Sequence, residues 1–367
     1  MAALEPVGVV RRRLRAQRLA GEPFATPAQA VAWSGGVQAQ EYAEALWSVA
    51  MRAGDVTAAD VEAACDHGEI LRTHVMRPTW HFVAAADLRW MLRLTGPRIQ
   101  ASNAGRYRQL GLDPATLMCC DEVFAAALAG GEPLTRRELG AALEAAGIDA
   151  SGQRLPHALL HAELEGVVVS GPRRGRQHTY LPFEDRVPAA PSRSREEDVA
   201  ELVRRYFTSH GPATLRDFAW WSGLTLTDGR AGVAACEETL MRMEGPDGTL
   251  WISAAPAPAT GDVDDERSPY VAHALLLGTF DELVVAHRDL RNVHADGRAT
   301  NALLPRPIVV DGLTVGGWTR RLARRVVTIE IVLEEASDRR QDAALRAAAD
   351  RFGAFVGLPA RIASGVA

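Results

Sequence analysis

The chain is 367 residues long with a mass of 39.6 kDa, more than one ordinary core organises, and at roughly 100–200 residues per domain it is expected to fold as two or three compact units. Its residues are 47% hydrophobic and 24% charged with no run of about 18 apolar positions, which excludes a transmembrane helix, and the net charge of −5 leaves any contact with nucleic acid to a local basic surface. All 41 Lys+Arg residues are arginines, which excludes a phosphate-binding P-loop, a kinase-type ATP site and imine chemistry on a lysine amine.

The amino terminus predicts a helix over residues 7–19. Its Arg11, Arg12, Arg13, Arg15 and Arg18 stand where an export signal would need an apolar run, so the cytoplasm is the expected location. Thr26 before Pro27 marks a second helix start, and Gly35-Gly36 stops that helix after Ser34. A non-helical link, Val37-Gln38-Ala39-Gln40, leads into a helix with Tyr42, Ala45, Leu46 and Val49 on one face, and Thr57 caps another that runs towards Gly68. Residues 70–73 and 80–83 then predict two strands of a hairpin, and helices closed by a small hairpin describe a winged helix-turn-helix unit.

The same order recurs. Helices are predicted over 121–128, 135–146 and 151–165, followed by strands over 167–169 and 178–181. After a Pro- and Ser-containing link at 188–194, helices over 195–209, 214–221 and 228–243 precede a strand over 249–253. Residues 256–269 predict an exposed loop; β-type runs follow at 272–278, 308–310, 313–318 and 326–333, with Asp311-Gly312 as a hairpin turn, and the chain closes in a helix over 339–355.

The expected fold is therefore mainly α with small β-sheets, an α+β chain. Three tandem winged helix-turn-helix units occupy 1–112, 113–190 and 191–255, and a β-rich section with a terminal helix occupies 256–367. The repeat is one of element order, not of residue identity. Cys65, Cys119, Cys120 and Cys236 form neither a C-x-x-C pair nor a cluster, so neither a metal nor an iron–sulfur cofactor is expected and the thiols read as reduced.

Five segments in order carry a resemblance: residues 37–41; Arg77-Pro78-Thr79-Trp80-His81-Phe82-Val83; residues 214–224; Phe280-Asp281-Glu282 with Arg288-Asp289; and Val315-Gly316-Gly317-Trp318. Together they resemble the AlkZ and YcaQ family of winged-helix DNA glycosylases over nearly the whole chain. Each motif is weak alone, and five in the expected order are specific. The resemblance implies a monomer with a C-shaped DNA-binding cleft and no cofactor. It also implies a monofunctional glycosylase that hydrolyses the N-glycosidic bond of N7-alkylated purines in double-stranded DNA. Azinomycin-type interstrand crosslinks would be included, in DNA repair and antibiotic self-resistance.

The family's catalytic motif, a glutamine, an aliphatic residue and a second glutamine, falls on Gln38, Ala39 and Gln40. In an extended link residues two apart project the same way, so both carboxamides can face one site while Ala39 packs inward. A carboxamide cannot take a proton near neutral pH, but it can fix a water against C1′ and turn its dipole on an oxocarbenium-like centre. That suffices when the leaving group is good, and an N7-alkylated purine is cationic and departs neutral. Without the resemblance the two glutamines read as capping or solvated loop residues. The absence of lysine leaves only the α-amino group as an amine nucleophile, which points to water as the attacking group.

Two arginine groups are candidate DNA contacts. Arg173, Arg174 and Arg176 stand at a wing tip with Gly171, Pro172 and Gly175, and Arg320, Arg321, Arg324 and Arg325 follow Trp318 where the family places a β-hairpin in its DNA cleft. A solvated loop is the alternative for each. His74, His81 and Asp87 match no metal-ligand spacing and are expected in the core or behind the site. Asp281 and Glu282, as neighbours in a strand, would point to opposite sides, and Trp220 and Trp221 with Phe218 are expected in the core. A non-catalytic winged-helix transcriptional regulator would share the fold, but regulators typically dimerise and the sequence has no heptad pattern.

Overall fold

Side-chain capping sets most of the helix starts. The structure, a computed structural model, describes residues 6–246, 248–255, 273–288 and 306–366. Helix α1 (Pro6–Ala16) precedes α2 (Pro27–Ser34), whose Thr26 hydroxyl accepts from the Gln29 N–H and whose end is Gly35 at φ 72°, a left-handed conformation that suits glycine. Strand β1 (Val37–Gln38) comes before α3 (Tyr42–Ala50) and α4 (Ala58–Asp66), and a Thr57–Asp60 capping box opens the latter. Strands β2 (Ile70–Val75) and β3 (Arg77–Ala84) form the predicted hairpin. β1 adds to its edge in the order β1-β3-β2 with Gln38 opposite His81, so the first half of the extended link is a paired strand.

The long α5 (Ala85–Gln109) had no counterpart in the sequence reading. Pro97 in its middle suggests a break, and Leu88, Trp90, Met91, Leu92, Leu94 and Ile99 are all buried, so no single apolar stripe marks it. Next come α6 (Pro114–Leu128), β4 (Leu134–Thr135), α7 (Arg136–Ala145), α8 (Arg154–Leu164), the hairpin β5 (Val168–Arg174) and β6 (Gln177–Pro182), and the short α9 (Phe183–Arg186). Their sheet runs β4-β6-β5. α10 (Arg195–Ser209), α11 (Leu215–Ser222) and α12 (Leu226–Ala235) lead to β7 (Leu240–Gly245) paired with β8 (Gly248–Ser253). The helix expected over 228–243 is thus half wrong. It ends at Cys236, and Leu240 and Met243 instead face Ser253 and Leu250 across a ladder, a long-range pairing that overrides local helical period.

A five-stranded sheet, β13-β12-β11-β10-β9, organises the carboxyl section. It comprises β9 (Ala274–Leu276), β10 (Pro307–Val310), β11 (Leu313–Leu322), β12 (Val327–Leu333) and the parallel β13 (Ala360–Val366), with α13 (Glu282–Val285) after β9 and α14 (Arg339–Val356) as the crossover into β13. Asp311 and Gly312, at φ 51° and 93°, make the predicted turn. The loop expected over 256–269 lies outside the described residues. α1–α4 and this sheet share one core, in which Leu14, Val31, Trp47 and Val49 join Leu276, Ile308, Trp318, Ile329 and Phe352. α5 and α10–α12 build a second around Trp90, Tyr206, Phe218 and Trp221, and α6–α8 a third around Phe124, Leu139 and Leu159.

A buried ion pair fixes the first core. Arg52 donates to both carboxylate oxygens of Asp281 at 2.9 Å each, the Ser48 hydroxyl donates to Asp281 at 2.5 Å, and Arg52 also donates to Gln17 Oε1 at 2.6 Å. Burial opposes the charge on Asp281, but Arg52, Ser48 and the Leu283 N–H hold its carboxyl below the ordinary range. Asp281→Ala strands the Arg52 guanidinium in the interior and should lower the unfolding free energy by about 3–5 kcal/mol, measured by denaturant unfolding. A loss below about 1 kcal/mol would show that the pair holds nothing together.

Candidate active site

β1 builds Gln38 into a sheet edge. Its N–H donates to Glu282 Oε1 at 2.8 Å instead of to a strand neighbour, and its side-chain Oε1 accepts from Arg77 Nη2 at 3.0 Å. With the oxygen engaged, the amide orientation is set and Nε2 is left as a donor with no hydrogen-bond partner among the described residues. The next residue is pinned as well: the Ala39 N–H donates to Trp80 O at 2.7 Å, and Ala39 O accepts from Arg72 Nε at 3.1 Å. The Arg72 guanidinium lies 4.1 Å from the Trp80 ring centroid. Gln38 is 8% exposed and Ala39 0%, whereas Gln40, beyond the strand, is exposed. The two amides are therefore not equivalent: one is enclosed with a fixed orientation and the other is open to solvent.

Behind Gln38 sits Glu282, fully buried. Its Oε2 accepts from the Trp221 indole N–H at 3.0 Å and stands 3.5 Å from His210 Nε2. Burial works against its charge, yet His210 and the Gln38 N–H hold the carboxyl below its ordinary value. His81, opposite Gln38, donates from Nδ1 to Thr79 O at 2.9 Å, and burial together with the nearby Arg77 pushes its pKa down to about 3, so the ring is neutral. Burial also keeps His287 neutral, well below the ordinary histidine range.

Sequence reasoning placed Asp281 and Glu282 in a strand; they open a short helix instead, with Asp281 as its N-cap through the Leu283 N–H at 2.9 Å. They do turn opposite ways, Asp281 to Arg52 and Glu282 to Gln38, and both are buried. An acid before the apolar run Leu283-Val284-Val285 was the available cap signal. Arg77, Glu282 and His210 were not foreseen as neighbours of Gln38, because nothing local links residues so far apart. Trp221 is core as expected, but Trp220 is 51% exposed, its indole N–H donating to Val285 O at 3.1 Å and its ring centroid 6.0 Å from the Arg77 guanidinium.

The other candidates for acid–base or metal chemistry are engaged elsewhere. His74 Nδ1 contacts Glu163 Oε2 at 2.6 Å, and Asp87 accepts from the Trp90 indole and from Arg205. No group of three His, Cys, Asp or Glu among the described residues could hold a metal ion. The cysteines are unpaired, and burial pushes the Cys65 thiol up to about 12.

The arginines divide into held and exposed. Arg173 donates to Glu62 at 2.8 Å and to Asp66 through its main chain at 2.9 Å, with its guanidinium 4.5 Å from the Tyr42 ring centroid. Arg174 donates to Glu138 at 2.8 Å, and Arg176 is exposed at the turn. Arg320 departs from expectation: it faces inward over Trp318 and Phe352, with Nη1 3.6 Å from the Glu44 carboxylate that also binds Arg306 at 2.6 Å. Alternation carried that signal, since Arg320 is two residues after the buried Trp318 on the same face of β11. Arg321 is exposed beside Glu330 at 3.1 Å, and Arg324 and Arg325 are exposed in the turn that joins β11 to β12.

The sequence matches the family model "DNA glycosylase AlkZ-like" over residues 31–355. The interstrand DNA cross-link repair glycosylase of Streptomyces sahachiroi is 28% identical over 305 residues, which span 77% of this chain and 79% of that protein. Among solved structures, Streptomyces sahachiroi DNA glycosylase AlkZ shares the fold, with a TM-score of 0.77 across 99% of this chain and 100% of that one at 21% identity. The family match includes Gln38, Ala39 and Gln40 and all five segments that carried the resemblance, so this chain is an enzyme of the AlkZ-like family of DNA glycosylases.

Proposed function

We propose that the enzyme hydrolyses the N-glycosidic bond of N7-alkylated purines in double-stranded DNA, unhooks interstrand crosslinks by the same cleavage, and leaves the strand uncut. The carrying observation is the fixed amide of Gln38, with Oε1 committed to Arg77 and Nε2 free to donate, two residues from the exposed amide of Gln40. A water held by these carboxamides adds to C1′ as the base leaves. The departing N7-alkylated purine takes the bonding electron pair and loses its positive charge, so no strong acid is required. The water's proton passes to solvent once the positive charge on the sugar has been relieved by the new C–O bond.

The crosslink-repair name of the Streptomyces sahachiroi relative supports extending the substrate to crosslinks, in DNA repair and self-resistance to a crosslinking agent. In this reading the three groups of helices with hairpins act as winged helix-turn-helix units around the duplex in a C-shaped monomer. The exposed Arg324–Arg325 turn contacts the phosphate backbone, with Arg321 beside it, and Arg174 and Arg176 form a second contact. Arg173 and Arg320 brace these two hairpins from within.

Gln40→Ala should reduce single-turnover excision of 7-methylguanine from a duplex by about 100-fold, scored as alkali-labile sites, with an unchanged melting temperature. Gln38→Ala should lose activity similarly and also cost about 1 kcal/mol of stability, because Arg77 loses its acceptor. Wild-type excision by Gln40→Ala would remove the motif from the mechanism. The enzyme should leave abasic sites intact at neutral pH, and borohydride should trap no complex with DNA; trapping that survives blockage of the α-amino group would sink the water mechanism. Changing Arg324 and Arg325 together to Ala should make the slope of log affinity against log salt shallower by about 1–2. An unchanged slope would take the turn off the DNA.

A further inference from the structure

The proposed reaction passes positive charge from the base to the sugar, and the Gln38-Ala39-Gln40 motif has no charge with which to meet it. Arg77 adds a positive charge of its own, which works against that step, its Nη2 3.0 Å from Gln38 Oε1. Of three other nearby groups that could carry a positive charge, burial keeps His81 and His287 neutral, and the third, His210, stands 3.5 Å from Glu282. Two carboxylates stand at the start of α13, and they are disposed differently. Asp281 is matched by the Arg52 guanidinium through two bonds at 2.9 Å. Glu282 has no arginine in ion-pairing contact among the described residues. Its oxygens take neutral N–H donors from Gln38 at 2.8 Å and Trp221 at 3.0 Å, and the His210 ring stands 3.5 Å away, with its Nδ1 2.8 Å from Ser209 Oγ.

A buried carboxylate held by two N–H dipoles and one histidine, and not matched by a bidentate guanidinium, keeps more of its field than Asp281 does, and inside a protein that field is weakly screened. Of the two N–H donors to Glu282, Gln38 lies at a strand edge and is 8% exposed, whereas Trp221 is itself core. We propose that Glu282 is a positioning residue for the reaction: it anchors the Gln38 main chain and supplies, from behind it, the negative potential that offsets Arg77 and favours a cationic deoxyribose centre. This assignment rests on the glycosylase reading above and adds to it the electrostatic element that the amide motif lacks.

The test compares affinity for two duplexes, one with a neutral tetrahydrofuran abasic analogue and one with a pyrrolidine analogue whose ring nitrogen is protonated. The intact chain should bind the pyrrolidine duplex about tenfold more tightly, as a mimic of the cationic centre. Glu282→Gln should bind the tetrahydrofuran duplex like the wild type and lose most of that preference, with a parallel fall in single-turnover excision at saturating enzyme. A merely structural role would weaken both duplexes alike. Undiminished preference in Glu282→Gln overturns the proposal. Should that variant not fold, the wild type decides: equal affinity for the two duplexes overturns the assignment, and a preference that Glu282→Asp lowers but retains supports it. Failure of the wild type to excise 7-methylguanine would instead strike the glycosylase reading, whereas excision that needs Gln40 but ignores the Glu282 charge strikes this proposal alone.

Discussion

Two adjacent acids at the mouth of a four-residue helix hold the Gln38 end of this protein together. Asp281 binds Arg52 and Ser48 from α3 and its end, and Glu282 binds the Gln38 main chain and the Trp221 indole. Burying two carboxylates is costly, and each is made tolerable by a different means: a guanidinium for one, directed N–H dipoles with a histidine for the other. Because the two are consecutive, the placement of β1 relative to α3 and α11 is fixed by a single turn of backbone. A shift of that turn would displace the ion pair and the Gln38 anchor together.

The same economy is visible in the arginines. A chain without lysine puts a planar, multidentate donor at every cationic position, and the structure uses several of them as internal braces. Arg72 stacks on Trp80 while holding Ala39 O, Arg77 fixes the Gln38 amide, and Arg320 lies over two aromatic rings beside Glu44. Each of these combines a flat stacking face with directional donors, which an ammonium group does not offer. The exposed arginines at the β11–β12 turn are a different population, and their proximity in sequence to Arg320 conceals the division.

Local chemistry was the legible part of the sequence. Thr26, Pro27 and Gly35 bounded α2, the helix over 195–209 was read to its observed ends, and Asp311-Gly312 made its turn, because caps and turns depend on residues within four positions. The second half of the helix expected over 228–243 failed because its residues pair across a ladder, and β13 escaped notice because its partner strand lies on the far side of a helix. Gln38 and Gln40 could be picked out through their motif, but their unequal burial could not, since the enclosure of Gln38 comes from Arg77 and Glu282. Of the seven arginines singled out, Arg320 is the one that faces inward, as strand alternation from Trp318 indicates.

The contact between Gln38 and Glu282 spans 244 positions of sequence. During synthesis from the amino terminus, β1 and its glutamine emerge long before the residue that anchors them, and the core of α1–α4 lacks its sheet until the last strands are made. Over that interval the nascent chain contains the motif but not the geometry. The Gln38 edge therefore takes its final form late and as a step, with closure of the first segment on the last.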